Sequence, residues 1–202
     1  MIRRRSFLGA PVLMAAPARA QTATDADSAA LITTLRAGSA VVVMRHGITD
    51  RSQVDTGDLT NRAGQRNRNE AGRAQSARTG RAVAALGIPL GEVLTSPVFR
   101  CRDTADLAFG TRVRVEENLT ADDYTPDPEL LRRRIAWLRA RMVQPSAPGV
   151  TDILVGHIVP LGMALGRSLA QAEYPEGSFA VFTAAGLRGI LGAETIWAAA
   201  GL

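Results

Sequence analysis

The segment Ala40-Val41-Val42-Val43-Met44-Arg45-His46-Gly47 decides how this chain is read. Five apolar residues in a row, three of them β-branched and none alternating with polar ones, mark a strand buried on both faces of a sheet. The strand then stops on a cation, an imidazole and a glycine. In open α/β sheets the carboxyl ends of such strands form the ligand-binding edge. Two further segments share this construction: Val93-Leu94-Thr95 leads into Ser96-Pro97-Val98-Phe99-Arg100, and Asp152-Ile153-Leu154-Val155 leads into Gly156-His157. The sequence contains only two histidines, and both stand just past a predicted strand.

Outward from these strands the spacing predicts helices. Leu31 to Arg36 has helical character. Glu70 to Leu86 reads as a helix capped by Asn69 and stopped by Gly87 and Pro89. A second begins at Ser96-Pro97 and runs to about Phe109, ahead of a short strand at Arg112 to Val115. Asp127-Pro128 opens a third, to about Met142, with Leu131, Ile135, Leu138 and Met142 on one stripe. Leu161 to Ala170 completes the helices, and Phe179 to Phe182 begins a final strand or hairpin. Strand and helix alternate, which predicts an α/β fold: a three-layer α/β/α sandwich around a mostly parallel sheet. Residues 47–69 are polar and without apolar period, and a loop of that length in a compact domain is usually functional.

Charge at first points elsewhere. The formal net is +5, which invites nucleic acid or an anionic surface as partner. All 24 basic residues are arginine, and arginine keeps its proton at every relevant pH. The first 20 residues, MIRRRSFLGAPVLMAAPARA, carry a basic start, a short apolar run and an Ala18-Arg19-Ala20 cleavage pattern. That is the layout of a secretory signal, too short to span a bilayer. The order Arg4-Arg5-x-Phe7-Leu8 also resembles a twin-arginine export signal. The expectation is a signal peptide at 1–20, a single domain at 21–202, and a periplasmic or secreted protein with no stable membrane insertion. Losing residues 1–20 removes four arginines and no acid, so the mature chain falls to +1 and nucleic acid is no longer indicated. Cys101 is the one cysteine, so no internal disulfide can form, and its apolar neighbours favour a packed side chain over a reactive thiol. No metal site and no cofactor are expected.

Two histidines and at least Arg45 and Arg100 converge on one sheet edge. Guanidinium groups match phosphate oxygens with paired planar donors. A neutral imidazole can take a phosphoryl group covalently, and neighbouring arginines would keep it neutral. Either histidine alone could be a hydrogen-bonded residue at a loop edge; the four residues together favour chemistry.

These residues resemble the histidine phosphatase superfamily, whose fold is phosphoglycerate mutase-like. The resemblance rests on Arg45-His46-Gly47 with Thr49, on Ser96-Pro97-x-x-Arg100-x-x-x-Thr104-Ala105, on Gly156-His157, and on Asn69-Glu70-x-Gly72-x-x-Gln75. It implies that His46 is the phosphorylated nucleophile and that Arg45, Arg100 and His157 hold the phosphoryl oxygens. Thr49 could face the pocket or stabilise a turn. Gln65 and Arg66 could touch substrate or form a solvated loop face. The family's acidic proton donor is not at its usual places, where Ala121 and Ile158 stand instead; Asp122 and Asp123 are the natural substitutes, or an exposed acidic turn. The implied activity is an exported phosphatase, without cofactor, acting on a small phosphorylated substrate or a phosphorylated envelope glycan. The alternative is a non-catalytic phosphate- or phosphoglycan-binding module that has lost its general acid.

Overall fold

The computed structural model describes residues 25–202, so the expected signal at 1–20 lies outside the described residues. Six strands form one sheet: β1 (Ala40–Arg45), β2 (Leu90–Thr95), β3 (Val113–Val115), β4 (Thr151–Gly156), β5 (Phe179–Thr183) and β6 (Gly186–Leu191). Their order is β3-β2-β4-β1-β5-β6. The pairs β1/β4, β2/β4 and β2/β3 are parallel, while β1/β5 and β5/β6 are antiparallel. The sheet is mixed, with the expected parallel strands as its body and a hairpin closing one side.

Six helices cover it: α1 (Asp25–Ala37), α2 (Glu70–Ala85), α3 (Phe99–Phe109), α4 (Pro128–Arg141), α5 (Ile158–Leu165) and α6 (Ala193–Ala199). The pleat divides the strand residues between two cores. Val42 and Met44 pack with Leu35, Val83, Phe109 and Ile196, on the side of α1, α2, α3 and α6. Val41 and Val43 pack with Ile135, Leu138 and Leu161, on the side of α4 and α5. Every residue of β1 and β4 is buried, the apolar runs by packing and Asp152 through its pairing with Arg141 and Ser146. The architecture is the three-layer α/β/α sandwich.

Several local expectations change. Ser96-Pro97 does not start the helix: α3 begins at Phe99 with Val98 as its cap residue, and the Ser96 hydroxyl accepts from the Val98 N–H at 3.3 Å. α5 lies further toward the amino terminus than the hydrophobic run Leu161–Ala170 indicated. It starts immediately after His157 and ends where Gly166 turns left-handed, φ 72. The helix α6 had no signal strong enough to predict, being seven residues long. Asn69 does cap α2, accepting from the Gly72 N–H at 2.9 Å.

The long polar loop is ordered by its own polar groups. Thr49 and Arg68 form a β-bridge, and the Asp50 N–H donates to the Asn67 carbonyl at 2.9 Å. Gly72 sits against this loop so closely that a Cβ there would meet the Ile48 carbonyl oxygen at 2.0 Å. Only glycine permits that approach.

Candidate active site

Sheet register builds the site. β2, β4 and β1 are neighbours, and Arg45 pairs with Gly156. The next residue on each strand, His46 and His157, therefore emerges side by side, with ring centroids 5.5 Å apart and planes at 58°. Both are buried, at 2% and 5% exposure. The His46 Nδ1 lies 3.0 Å from the Gly47 carbonyl oxygen. A carbonyl only accepts, so Nδ1 carries the proton and Nε2 keeps its lone pair free. The backbone around it is pinned as well: the Gly47 N–H donates to Thr104 Oγ1 at 2.9 Å, and the Thr104 hydroxyl donates to the Arg100 carbonyl at 2.7 Å.

Arg45 and Arg100 are each 3% exposed. Arg45 Nη1 donates to the Tyr174 carbonyl at 2.5 Å. Arg100, in the first turn of α3, donates through Nη1 to Asp55 Oδ1 at 2.8 Å, and its Nη2 stands 3.8 Å from Asp123 Oδ2. The Nε–H of Arg45, Arg66 and Arg100 are all buried without a partner. Three buried unpaired guanidinium donors around one sheet edge fit an anion, since unpaired buried donors are otherwise costly. His157 Nε2 is 2.9 Å from Ser96 Oγ and 3.4 Å from Cys101 Sγ. Ser96, where the sequence predicts a helix to begin, is therefore a neighbour of the second histidine.

Electrostatics keep both imidazoles neutral. Burial first, then the Arg100 charge, holds His46 well below the usual histidine range, with Arg45 and Arg66 adding. The same causes, together with His46 itself, act on His157. Burial pushes the Cys101 thiol up to about 12, so it stays protonated and unreactive. Burial also raises the Asp55 carboxyl, but hydrogen bonds from Tyr124, the Arg66 N–H and Arg100 outweigh it and hold it below the ordinary value. Asp123 moves the other way: burial, then Asp55 and Asp122, push it up against the pull of Arg100.

The remaining expected residues fall in different places. Thr49 is buried and donates to Glu176 Oε1 at 2.7 Å. Arg66 lines a cavity of about 210 Å³ with Arg45, Arg51, Gln171 and Glu176. Gln65 requires a correction. It is fully buried, its amide donates to the Asp58 carbonyl and its oxygen accepts from the Phe99 N–H, both at 2.9 Å. Its polar atoms tie the loop to α3 and are not presented to a substrate. Asp123 reaches Arg100, whereas Asp122 makes no such pair among the described residues. Ala121 is buried against Val98 and Tyr124, so no proton donor arises there.

Two acids at the site carried no sequence signal. Asp55 is one of three aspartates in the polar loop, with nothing to separate it from Asp50 and Asp58. Glu176 arrives through the antiparallel pairing of Met44 with Phe179, which brings the residues before β5 to the end of β1. Its Oε1 lies 3.9 Å from His46 Nδ1. Among the described residues no cluster of three or more His, Cys, Asp or Glu could hold a metal ion.

The model of the histidine phosphatase superfamily (branch 1) matches residues 41–125, from β1 to the turn that carries Asp123. No curated protein matches the chain by sequence. In fold it is similar to the protein histidine phosphatase SixA in complex with tungstate. That match has TM-score 0.53 and 15% identity, over 78% of this chain and 99% of that one. A putative α-ribazole-5′-P phosphatase from Escherichia coli superposes at TM-score 0.50 and 16% identity, over 71% and 90% of the two chains. The product of open reading frame Rv3214 from Mycobacterium tuberculosis gives TM-score 0.50 and 19% identity, over 70% and 89%. The sequence match thus spans β1 to the turn after β3, and beyond it the likeness to these solved structures is one of fold.

Proposed function

We propose that the chain is an exported phosphatase that hydrolyses phosphate monoesters through a phosphohistidine on His46. The observation that carries this reading is the free Nε2 lone pair of a buried, neutral His46 beside His157 and two buried arginines. In the first step Nε2 attacks phosphorus, the P–O bond to the leaving group breaks, and the departing oxygen takes a proton. In the second, water attacks the phosphohistidine, the P–N bond breaks, and inorganic phosphate leaves with His46 restored. Arg45, Arg100 and His157 hold the non-bridging oxygens, where charge must be met throughout. Asp123 is the best-placed proton donor, because its raised carboxyl keeps a proton to higher pH than its neighbour Asp55. Residues 1–20 would direct export, so the substrate is a small phosphate ester or a phosphorylated envelope glycan met outside the cytoplasm.

Hydrolysis of p-nitrophenyl phosphate in the presence of EDTA tests the core of this. His46→Ala should lower kcat by about three orders of magnitude or more, as removal of a covalent nucleophile does. Wild-type turnover in that variant would overturn the assignment of His46. Tight phosphate binding with no turnover by the parent protein would favour the binding-module reading, to which the apolar Ala121 and Ile158 lend weight.

A further inference from the structure

The cavity lined by Arg45, Arg51, Arg66, Gln171 and Glu176 does not include either histidine or Arg100. It adjoins the phosphoryl site and shares Arg45, Arg66 and Glu176 with it, Glu176 Oε1 lying 3.9 Å from His46 Nδ1. Its charge is unbalanced. Arg100 already has Asp55 and Asp123 as acidic partners, but among the described residues neither Arg51 nor Arg66 forms an ion pair. Three arginines face one carboxylate, Glu176, whose Oε1 is already engaged by the Thr49 hydroxyl. The Nε–H of Arg45 and Arg66 are buried and unpartnered. An anion would satisfy the buried free donors of Arg45 and Arg66, and the exposed Arg51, with no acid of its own, adds positive charge beside them.

We infer that this cavity is a subsite for a second anionic group of the substrate, a phosphate or a carboxylate close to the phosphoryl group being transferred. The inference rests on the phosphatase reading for the position of that phosphoryl group. Arg51 and Arg66 bind the second anion, Gln171 offers an amide donor, and Glu176 opposes it. A volume of about 210 Å³ admits one such group with the atoms that link it. The preferred substrates are therefore bis-anionic: a diphosphate, a bisphosphate or a phosphorylated acid.

Calorimetric binding of non-hydrolysable probes tests the subsite apart from turnover. Methylphosphonate carries one anionic group, methylenediphosphonate carries a second phosphate-like group, and phosphonoacetate carries a carboxylate. The parent protein should bind at least one bis-anionic probe about 30-fold or more tighter than methylphosphonate. Whichever does so identifies the second group as phosphate or carboxylate. Arg51→Gln should cut that ratio about tenfold, while the isosteric Glu176→Gln should raise it, a gain that a merely structural role for Glu176 would not produce. A ratio unaffected by Arg51→Gln, or no binding of either bis-anionic probe, overturns the subsite. Failure of the p-nitrophenyl phosphate assay alone would overturn the phosphatase reading and leave these ratios standing.

Discussion

At the residue scale, the two buried imidazoles impose a measurable dependence on pH. Both are held well below the usual histidine range, so between pH 6.5 and their folded values the unfolded chain binds protons that the folded chain refuses. Stability then rises with pH in that window and is lost on acidification. The chain has no other histidine, so the rising part of the slope between pH 7 and 5.5 comes from this pair, up to about 1.4 kcal/mol per unit for each ring, while the raised carboxyls of Asp106 and Asp123 act with opposite sign. The melting temperature should fall across that range, and His157→Asn should flatten the fall; an unchanged slope in the variant would contradict the burial argument. The acids give a second residue-scale prediction. On the proposed mechanism a poor alkoxide leaving group takes its proton from Asp123, whereas p-nitrophenolate leaves without one. Asp123→Asn should lower kcat on an alkyl phosphate by about 10²–10⁴-fold and change p-nitrophenyl phosphate turnover far less. Equal losses on both would remove Asp123 from proton transfer, and the corresponding Asp122→Asn change should matter little.

Among the elements, the contact between α2 and the loop after β1 holds His46 in place. Gly72 brings α2 against Ile48, two residues from His46, and the Ile48 N–H donates to Gln75 Oε1 at 3.0 Å. Gly72→Ala would force a methyl onto the Ile48 carbonyl and displace the loop. It should destabilise by about 1–3 kcal/mol and lower kcat along with it. Thermal unfolding and steady-state kinetics on the same preparation check this, and a fully active, fully stable variant would show that the approach is not needed. The same elements show what the sequence could convey. β1, β2 and β4 were legible from the apolar runs Val41–Met44, Val93–Leu94 and Ile153–Val155, which are buried in the sheet, and their register then had to place Arg45, His46, Arg100 and His157 together. Asp55 and Glu176 were not legible, since a loop held by hydrogen bonds has no period and an antiparallel neighbour of β1 is a property of topology. Gln65 misled for a related reason: a polar side chain in a polar loop reads as exposed, yet it is buried because two backbone groups, Asp58 and Phe99, need its amide.

For the whole molecule, the question is how a folded domain with these properties would reach its substrate. The formal charge is +5 for the full chain and +1 for residues 21–202, so on the export proposal the processed domain would be nearly neutral. Its one cysteine is buried, protonated and tucked beside His157, so folding needs no disulfide and no oxidising compartment. Among the described residues no helix is long and apolar enough to cross a membrane. A domain that can complete its fold in a reducing cytoplasm suits the proposal of twin-arginine export, which carries folded proteins and on that proposal would read Arg4-Arg5. Expressed as the full chain in a bacterial host, the protein should accumulate in the periplasm in its processed form. Arg4→Lys with Arg5→Lys should trap it, folded and active on p-nitrophenyl phosphate, in the cytoplasm. Undiminished periplasmic accumulation of that double variant would exclude the twin-arginine route, and cytoplasmic retention of the parent chain would remove the export reading altogether.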